Sequence, residues 1–196
     1  LPRPINVSST TYLKNRLFVA LSVIVFCFIA SFISGGWFVQ ISKALFFLLL
    51  GVLTTDVILL FRIRKGITGH RITPEKLSNG DLNELAIHIQ NFYPFTADLN
   101  VIDEIPHQFQ RRDLSFKITL KPGEKKVIQY HLRPVKRGEY SFGSVNVFAS
   151  SPLGLLSRRF KFSADALVPV YPSYIQMRKY ELMAISNRLT EAGIKK

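Results

Sequence analysis

The sequence predicts a membrane α-hairpin of two transmembrane helices, followed by an all-β antiparallel sandwich of immunoglobulin-like type and a C-terminal helix. Three observations carry that fold class. Two long apolar runs stand close together before residue 62. After Gly66, apolar residues alternate with polar ones in short stretches, the period of a half-buried strand. Turn residues separate those stretches at a spacing of roughly 8 to 12 residues, as in a sandwich.

Charge is segregated in the same way. The 196 residues are 47% hydrophobic yet carry a formal net charge of +13. Up to Phe61 the only Lys, Arg, Asp or Glu residues are Arg3, Lys14, Arg16, Lys43 and Asp56, which leaves 22 basic and 12 acidic residues for the rest. The C-terminal part is therefore a strongly basic soluble module. Cys27 is the single cysteine and lies in an apolar run, so it reads as a small hydrophobe and no disulfide framework can form within one chain. The first residue is Leu, which points to a start inside a longer reading frame.

Residues 1–13 form an N-terminal arm, and residues 14–65 form the hairpin. The first span, 17–37, includes LFVALSVIVFCFIASFI and has the roughly 20 residues needed to cross a hydrocarbon core about 30 Å thick. The second, 44–61, reads ALFFLLLGVLTTDVILLF. Its many Leu, Phe, Val and Ile residues, each contributing roughly −0.3 to −0.6 kcal/mol to insertion, outweigh one off-centre acid costing about 3 kcal/mol. Between the spans, Gly35 and Gly36 suit a reversal and Trp37 suits the headgroup region. A cleaved signal peptide is the rival reading of the first run. Its apolar core would be too long, and a second apolar segment follows almost at once.

Arg3, Lys14 and Arg16 precede the hairpin and Arg62, Arg64 and Lys65 follow it, while the intervening turn holds only Lys43. By the positive-inside rule both ends face the cytoplasm of a bacterial inner membrane, and Arg62, Arg64 and Lys65 meet anionic lipid headgroups. Asp56 is the one intramembrane acid, a default functional candidate for proton or ion movement. A structural role near the interface, or a pairing with a neighbouring helix, is the favoured alternative.

The sandwich is expected over residues 66–174. Leu85, Ile87 and Ile89 alternate, as do Leu114, Phe116, Ile118 and Leu120. Lys121-Pro122-Gly123-Glu124 then reads as a hairpin turn into Ile128, Tyr130 and Leu132. Further short strands fit 97–101, 145–149, 159–162 and 167–171. Residues 175–196 open a helix leading into a further C-terminal region.

The search for chemistry yields no catalytic, metal or cofactor site. His70, His88, His107 and His131 are scattered along the chain without paired ligand spacing. Asp103 and Glu104 are adjacent and would point to opposite faces of a strand, unsuited to shared acid and base work. The basic pairs Arg111-Arg112, Lys125-Lys126, Lys136-Arg137 and Arg158-Arg159 raise nucleic acid as a partner, but solvated faces and anionic lipid explain them more simply.

One motif set stands out. Arg137-Gly138-Glu139-Tyr140-Ser141-Phe142-Gly143 is followed by Ser151-Pro152-Leu153-Gly154-Leu155 and by Val170-Tyr171-Pro172. It resembles the bacterial family filed as domain of unknown function fifty-eight, which also places two membrane helices before a β domain. The motif residues offer no nucleophile or base. Gly138 and Gly143 suit a turn and a close backbone approach flanking a short strand, residues 151–154 suit a type I turn, and Tyr140 and Tyr171 are expected to pack. The resemblance implies a continuation into a von Willebrand A-like region and a MoxR-type AAA+ ATPase as partner. The function expected is a non-enzymatic, membrane-anchored accessory or scaffold protein in complex assembly or envelope maintenance, with no small-molecule substrate. The alternative is a transport component that moves protons or ions through Asp56.

Overall fold

The structure, a computed structural model, describes residues 10–34, 36–111, 114–162, 166–173 and 182–184. Two helices form an antiparallel hairpin, α1 (Asn15–Ser34) and α2 (Gly36–Phe61). The second helix begins at Gly36, not at residue 44, so Lys43 lies within a helix and not in a turn. Isolated polar residues do not end a helix whose backbone bonds close internally. The Ser42 hydroxyl donates to the Phe38 carbonyl at 3.1 Å, and Thr54 and Thr55 donate one turn back to Leu50 and Gly51 at 2.8 and 2.9 Å.

At about 1.5 Å per residue the 26 residues of α2 extend roughly 39 Å. Both helices are long and apolar enough to cross a membrane, and fewer than one in five residues of their apolar windows is buried. Phe26, Phe32 and Phe47 are 71%, 92% and 66% exposed. A core helix of a soluble domain would cover such side chains.

The sandwich contains β1 (Thr11–Leu13), β2 (Ile67–Ile72), β3 (Leu77–Ser78), β4 (Asn83–Asn91), β5 (Ala97–Asp103), β6 (Ser115–Leu120), β7 (Lys125–Leu132), β8 (Gly138–Phe142), β9 (Val145–Ser150), β10 (Leu156–Phe162) and β11 (Ala166–Tyr171). They form a five-stranded sheet, β1-β10-β9-β5-β6, and two three-stranded sheets, β2-β4-β7 and β3-β11-β8. Every ladder is antiparallel except the short β11–β3 pair. Inward residues of β4 (Leu85, Ile87, Ile89) and β7 (Ile128, Tyr130, Leu132) join those of β5 and β9 in one core. Each large apolar side chain so buried contributes about 1.5–3 kcal/mol.

The stretch 121–124 is not a hairpin turn. β6 pairs with β5 in the five-stranded sheet, whereas β7 pairs with β4 in another. The Pro-Gly sequence, with Gly123 at φ +75°, makes a tight turn that carries the chain between sheets. Local turn chemistry is the same for both uses; only the burial partners of the flanking strands decide. Three strands lie outside the expected segments: β1, β2 and the two-residue β3. In β2 the inward positions are Ile67, Gly69 and Arg71, so no apolar alternation marks it. β1 is an exposed edge strand contributed by the N-terminal arm.

The registers give the sandwich two ends. Asn91, Ala97, Leu120, Ser150 and Leu156 lie at the end next to the helices; Ile72, Asn83, Asp103, Leu132 and Val145 lie at the opposite end. At that far end Arg71 pairs with Asp103 at 2.5 Å, donates to the Gly143 carbonyl at 3.0 Å, and lies over the Phe142 ring. The Tyr130 hydroxyl donates to the same carboxylate, which ties three strands together. Of the helix expected beyond Pro172, residues 182–184 are helical. The rest of it lies outside the described residues.

Candidate functional site

The site is the joint between the last turns of α2 and the near end of the sandwich. Asp56 is fully buried there. Five residues before the end of α2, it points away from the apolar flank into the segment 151–156. The Ser151 hydroxyl donates to its Oδ1, and the backbone N–H groups of Leu155 and Leu156 donate to its Oδ2 at 3.0 and 2.9 Å. Hydrogen bonds to an ionised acceptor are the strong ones, and here both oxygens are engaged.

The segment Ser151-Pro152-Leu153-Gly154-Leu155 folds to fit this role. Ser151 Oγ also accepts from the N–H groups of Leu153 and Gly154, at 3.1 and 3.4 Å, which curls the backbone. Gly154 sits at φ +67°, where a side chain is strained, and a Cβ there would lie 3.0 Å from an Arg16 guanidinium nitrogen. The turn therefore nests between Asp56 of one helix and Arg16 of the other. Lys14 N–H donates to the Leu155 carbonyl at 2.9 Å and closes the start of α1 onto the same segment.

The end of α2 is held separately. A helix leaves its last carbonyls without intrahelical partners, and these carry partial negative charge. Arg158 Nη1 donates to the carbonyls of Leu60 and Ile63 at 2.7 and 2.8 Å, and its Nη2 donates to that of Arg64 at 3.0 Å. Its guanidinium lies 4.8 Å from the ring centroids of both Phe61 and Phe160. The Tyr93 hydroxyl adds a bond to the Leu60 carbonyl at 2.8 Å, and burial pushes that phenol above its ordinary value. Gly66 passes against the Tyr93 ring so closely that a Cβ would fall 2.1 Å from its Cζ.

Arg158 corrects the reading of Arg158-Arg159 as a solvated pair: it is 3% exposed, and its charge is spent on helix carbonyls. Arg159 instead donates to the Asn146 amide oxygen. Arg112 lies outside the described residues. Arg62, Arg64 and Lys65 are exposed immediately after α2.

The family-like motif is divided. Residues 151–155 meet Asp56, with Pro152 and Leu153 facing outward and Leu155 buried. The 137–143 segment lies at the far end. There Arg137 is exposed, Gly138 adopts φ +133°, and the buried Tyr140 donates to the Lys136 carbonyl at 2.9 Å. A Cβ on Gly143 would meet Glu104 at 2.7 Å. Tyr171 does not pack: it is 55% exposed, and Pro172 beside it is exposed too. The strand β11 ends at Tyr171 with its side chain on the outer face, so packing falls to Val168 and Val170.

Asp103 and Glu104 diverge into different networks, Glu104 accepting from the Ser144 N–H and the Asn146 amide. His70 and His88 are not far apart, because β2 and β4 pair them and their rings stack with centroids 5.0 Å apart. Among the described residues no group of three or more His, Cys, Asp or Glu side chains is placed to hold a metal ion.

No protein-family model matches the chain, and no curated protein matches it. Solved structures do. The CARDB domain of a Pyrococcus furiosus protein aligns at 16% identity over 54% of this chain and 87% of its own, with a TM-score of 0.35. A PapD-like domain of human CEP192 aligns at 10% identity over 56% and 87%, with a TM-score of 0.39. A PKD domain of an M14-like peptidase from a Thermoplasmatales archaeon aligns at 12% identity over 52% and 91%, with a TM-score of 0.32. By its own topology the domain of this chain is an all-β, largely antiparallel sandwich.

Proposed function

We propose that the chain is a non-enzymatic, membrane-anchored accessory or scaffold protein whose sandwich is a protein-interaction module fixed at the membrane surface. The joint carries this reading. An apolar hairpin with outward side chains is bound to the sandwich through both oxygens of Asp56 and through the Arg158 grip on α2. Such a joint transmits the position of the helices to the domain. An open apolar groove along α1, lined by Phe18, Leu21, Ser22, Val25, Phe26 and Ile29, lies on the face that lipid would cover.

The cations Lys14, Arg16, Arg62, Arg64 and Lys65 gather at the sandwich end of the hairpin, which supports a cytoplasmic domain at a bacterial inner membrane. Lys43 is seven residues past the start of α2, about 10 Å along the axis, within snorkelling reach of the opposite interface. Engagement of both Asp56 oxygens favours this reading over proton or ion movement through that residue. The described chain leaves the sandwich at Ser173, whose hydroxyl donates to Asp81 at 2.6 Å, on the side away from the helices.

The motif resemblance points to a MoxR-type AAA+ ATPase as the partner. The test is affinity purification of the detergent-extracted chain from cells expressing it with the cognate ATPase. Co-purification that survives Asp56→Asn and is lost on changing Arg137 or Tyr171 at the far end supports the proposal. Free elution of the ATPase, together with an ion flux abolished by Asp56→Asn, overturns it.

A further inference from the structure

We infer that the near end of the sandwich is itself a lipid-contact surface, matched to anionic headgroups of the leaflet that borders the hairpin. The inference rests on the membrane-anchored reading and extends it from the helices to the domain.

Position comes first. The Phe92 N–H donates to the Gly66 carbonyl at 2.8 Å, five residues past the end of α2, the helix end that Tyr93 and Arg158 hold. Asn91 then links to the next turn, donating to the Glu124 carbonyl and accepting from the Gly123 N–H, both at 3.0 Å. The turns around Phe92, Gly123 and Leu153 thus surround the point where α2 enters the sandwich. Any bilayer containing the hairpin faces all three.

Apolar exposure comes second. Phe92 is 48% exposed and Leu153 is 36% exposed, while the adjacent Tyr93 and Leu155 do the packing beneath them. Neither outward side chain contributes to the core, and the helices of the joint carry exposed apolar side chains of their own.

Charge comes third and selects the lipid class. Lys121 is exposed on the turn next to Phe92 and Lys125 and Lys126 are exposed at the start of β7, while Arg62, Arg64 and Lys65 are exposed where α2 ends. Asp56 is buried in the joint, and the exposed acids of this end are Glu124, which accepts from the Lys121 N–H at 2.7 Å, and Asp98, which accepts from the Thr119 hydroxyl at 2.8 Å; the six cations outnumber these two. Exposed Glu75, Glu84 and Glu139 sit towards the far end and offset the cations there. The domain is polarised, cationic towards the helices and mixed away from them. Anionic phospholipid is the partner that fits apolar tips ringed by Lys and Arg, because Lys stems can follow acyl surface while their ammonium groups stay with phosphate.

The experiment uses the full chain with Trp37→Phe, reconstituted into vesicles of phosphatidylcholine alone or mixed with phosphatidylglycerol. An indole is introduced by Phe92→Trp or, separately, by Leu153→Trp; Val135→Trp, at a 70% exposed far-end position, is the control. Brominated lipids of either headgroup serve as quenchers. The expected result is quenching at 92 and 153 but not at 135, stronger with brominated phosphatidylglycerol and weaker in high salt. Each Lys→Gln change at 121, 125 or 126 lowers that anionic preference by up to about fivefold. Vesicles that retain the chain through flotation while 92 and 153 stay unquenched overturn the inference and leave the anchor intact. Equal quenching by both headgroups, unchanged by the Lys substitutions, overturns the anionic part. A chain that fails to float with the vesicles overturns the membrane reading itself.

Discussion

Replacing Asp56 by Ala tests the joint at its centre. The substitution removes the acceptor of three donors: the Ser151 hydroxyl and the N–H groups of Leu155 and Leu156. All belong to buried residues, so water cannot replace the carboxylate without opening the interface. Charge-assisted hydrogen bonds contribute about 1.5–3 kcal/mol each, but bonds to one carboxylate are not additive. Breaking a buried charged contact by deleting one partner costs about 3–5 kcal/mol, and we take the lower figure because alanine also removes the buried charge. A loss of about 3 kcal/mol raises the population of the opened joint roughly 150-fold.

Asp56→Asn should fall between the two states, at about 1–2 kcal/mol. Its amide oxygen can still accept from Leu155 and Leu156, but its NH2 group faces a Ser151 hydroxyl that already accepts two N–H bonds. Hydrogen exchange of a peptide covering residues 151–157, in detergent or nanodiscs, reads the effect. The Leu155 and Leu156 amides should be protected in the parent, partly in Asp56→Asn and hardly at all in Asp56→Ala, while β4 amides keep their protection. Unchanged exchange at Leu155 and Leu156 would refute the assignment of Asp56 to the joint.

Gly66→Ala should destabilise the fold by about 1–3 kcal/mol or more, because the new Cβ falls 2.1–2.5 Å from three atoms of a ring pinned by the Leu60 carbonyl and stacked on Phe95. Thermal melting checks it, and Tyr93→Ala in the same chain should recover part of the loss. Burial raises the phenols of Tyr93 and Tyr130 above the ordinary 10.0, with the Asp103 charge adding to the effect at Tyr130. The folded state therefore holds these protons more tightly, so stability is full below pH 10.0 and declines as pH rises beyond it. Phenolate absorbance should show two tyrosines ionising only on unfolding; a single step for all seven would contradict this. Asp81 shifts the other way, since hydrogen bonds from Ser173 and Ser78 hold its carboxyl below 3.8. Its contribution is present above 3.8 and is lost as pH falls through the lowered value, a loss that acid titration should find diminished in Asp81→Asn.

The parts of the fold legible in the sequence are those in which one residue type does one job. Leu85, Ile87 and Ile89 announce β4 because every second position is apolar and buried. The two apolar runs announce the hairpin because nothing in them interrupts a helix. Legibility fails where a charged residue faces inward. Arg71 occupies a core position of β2 and hides the strand, and Arg158 reads as half of a surface pair while it closes the end of a helix 94 to 98 residues away in sequence. Asp56 is conspicuous as a lone acid among apolar residues, but its partners are two backbone N–H groups and a hydroxyl about 100 residues on. Backbone donors leave no trace in composition. The Ser-Pro-Leu-Gly-Leu segment is readable as a turn; that it is the receptor for Asp56 follows only once β10 is placed beside α2.

Alkaline carbonate extraction of membranes from cells expressing the full chain tests the central claim most directly. An apolar hairpin embedded in lipid predicts that the chain stays in the membrane pellet and is released by detergent alone. Recovery of a monodisperse, detergent-free chain in the supernatant would contradict it, because the exposed flanks of Phe26, Phe32 and Phe47 would then have to be covered by protein.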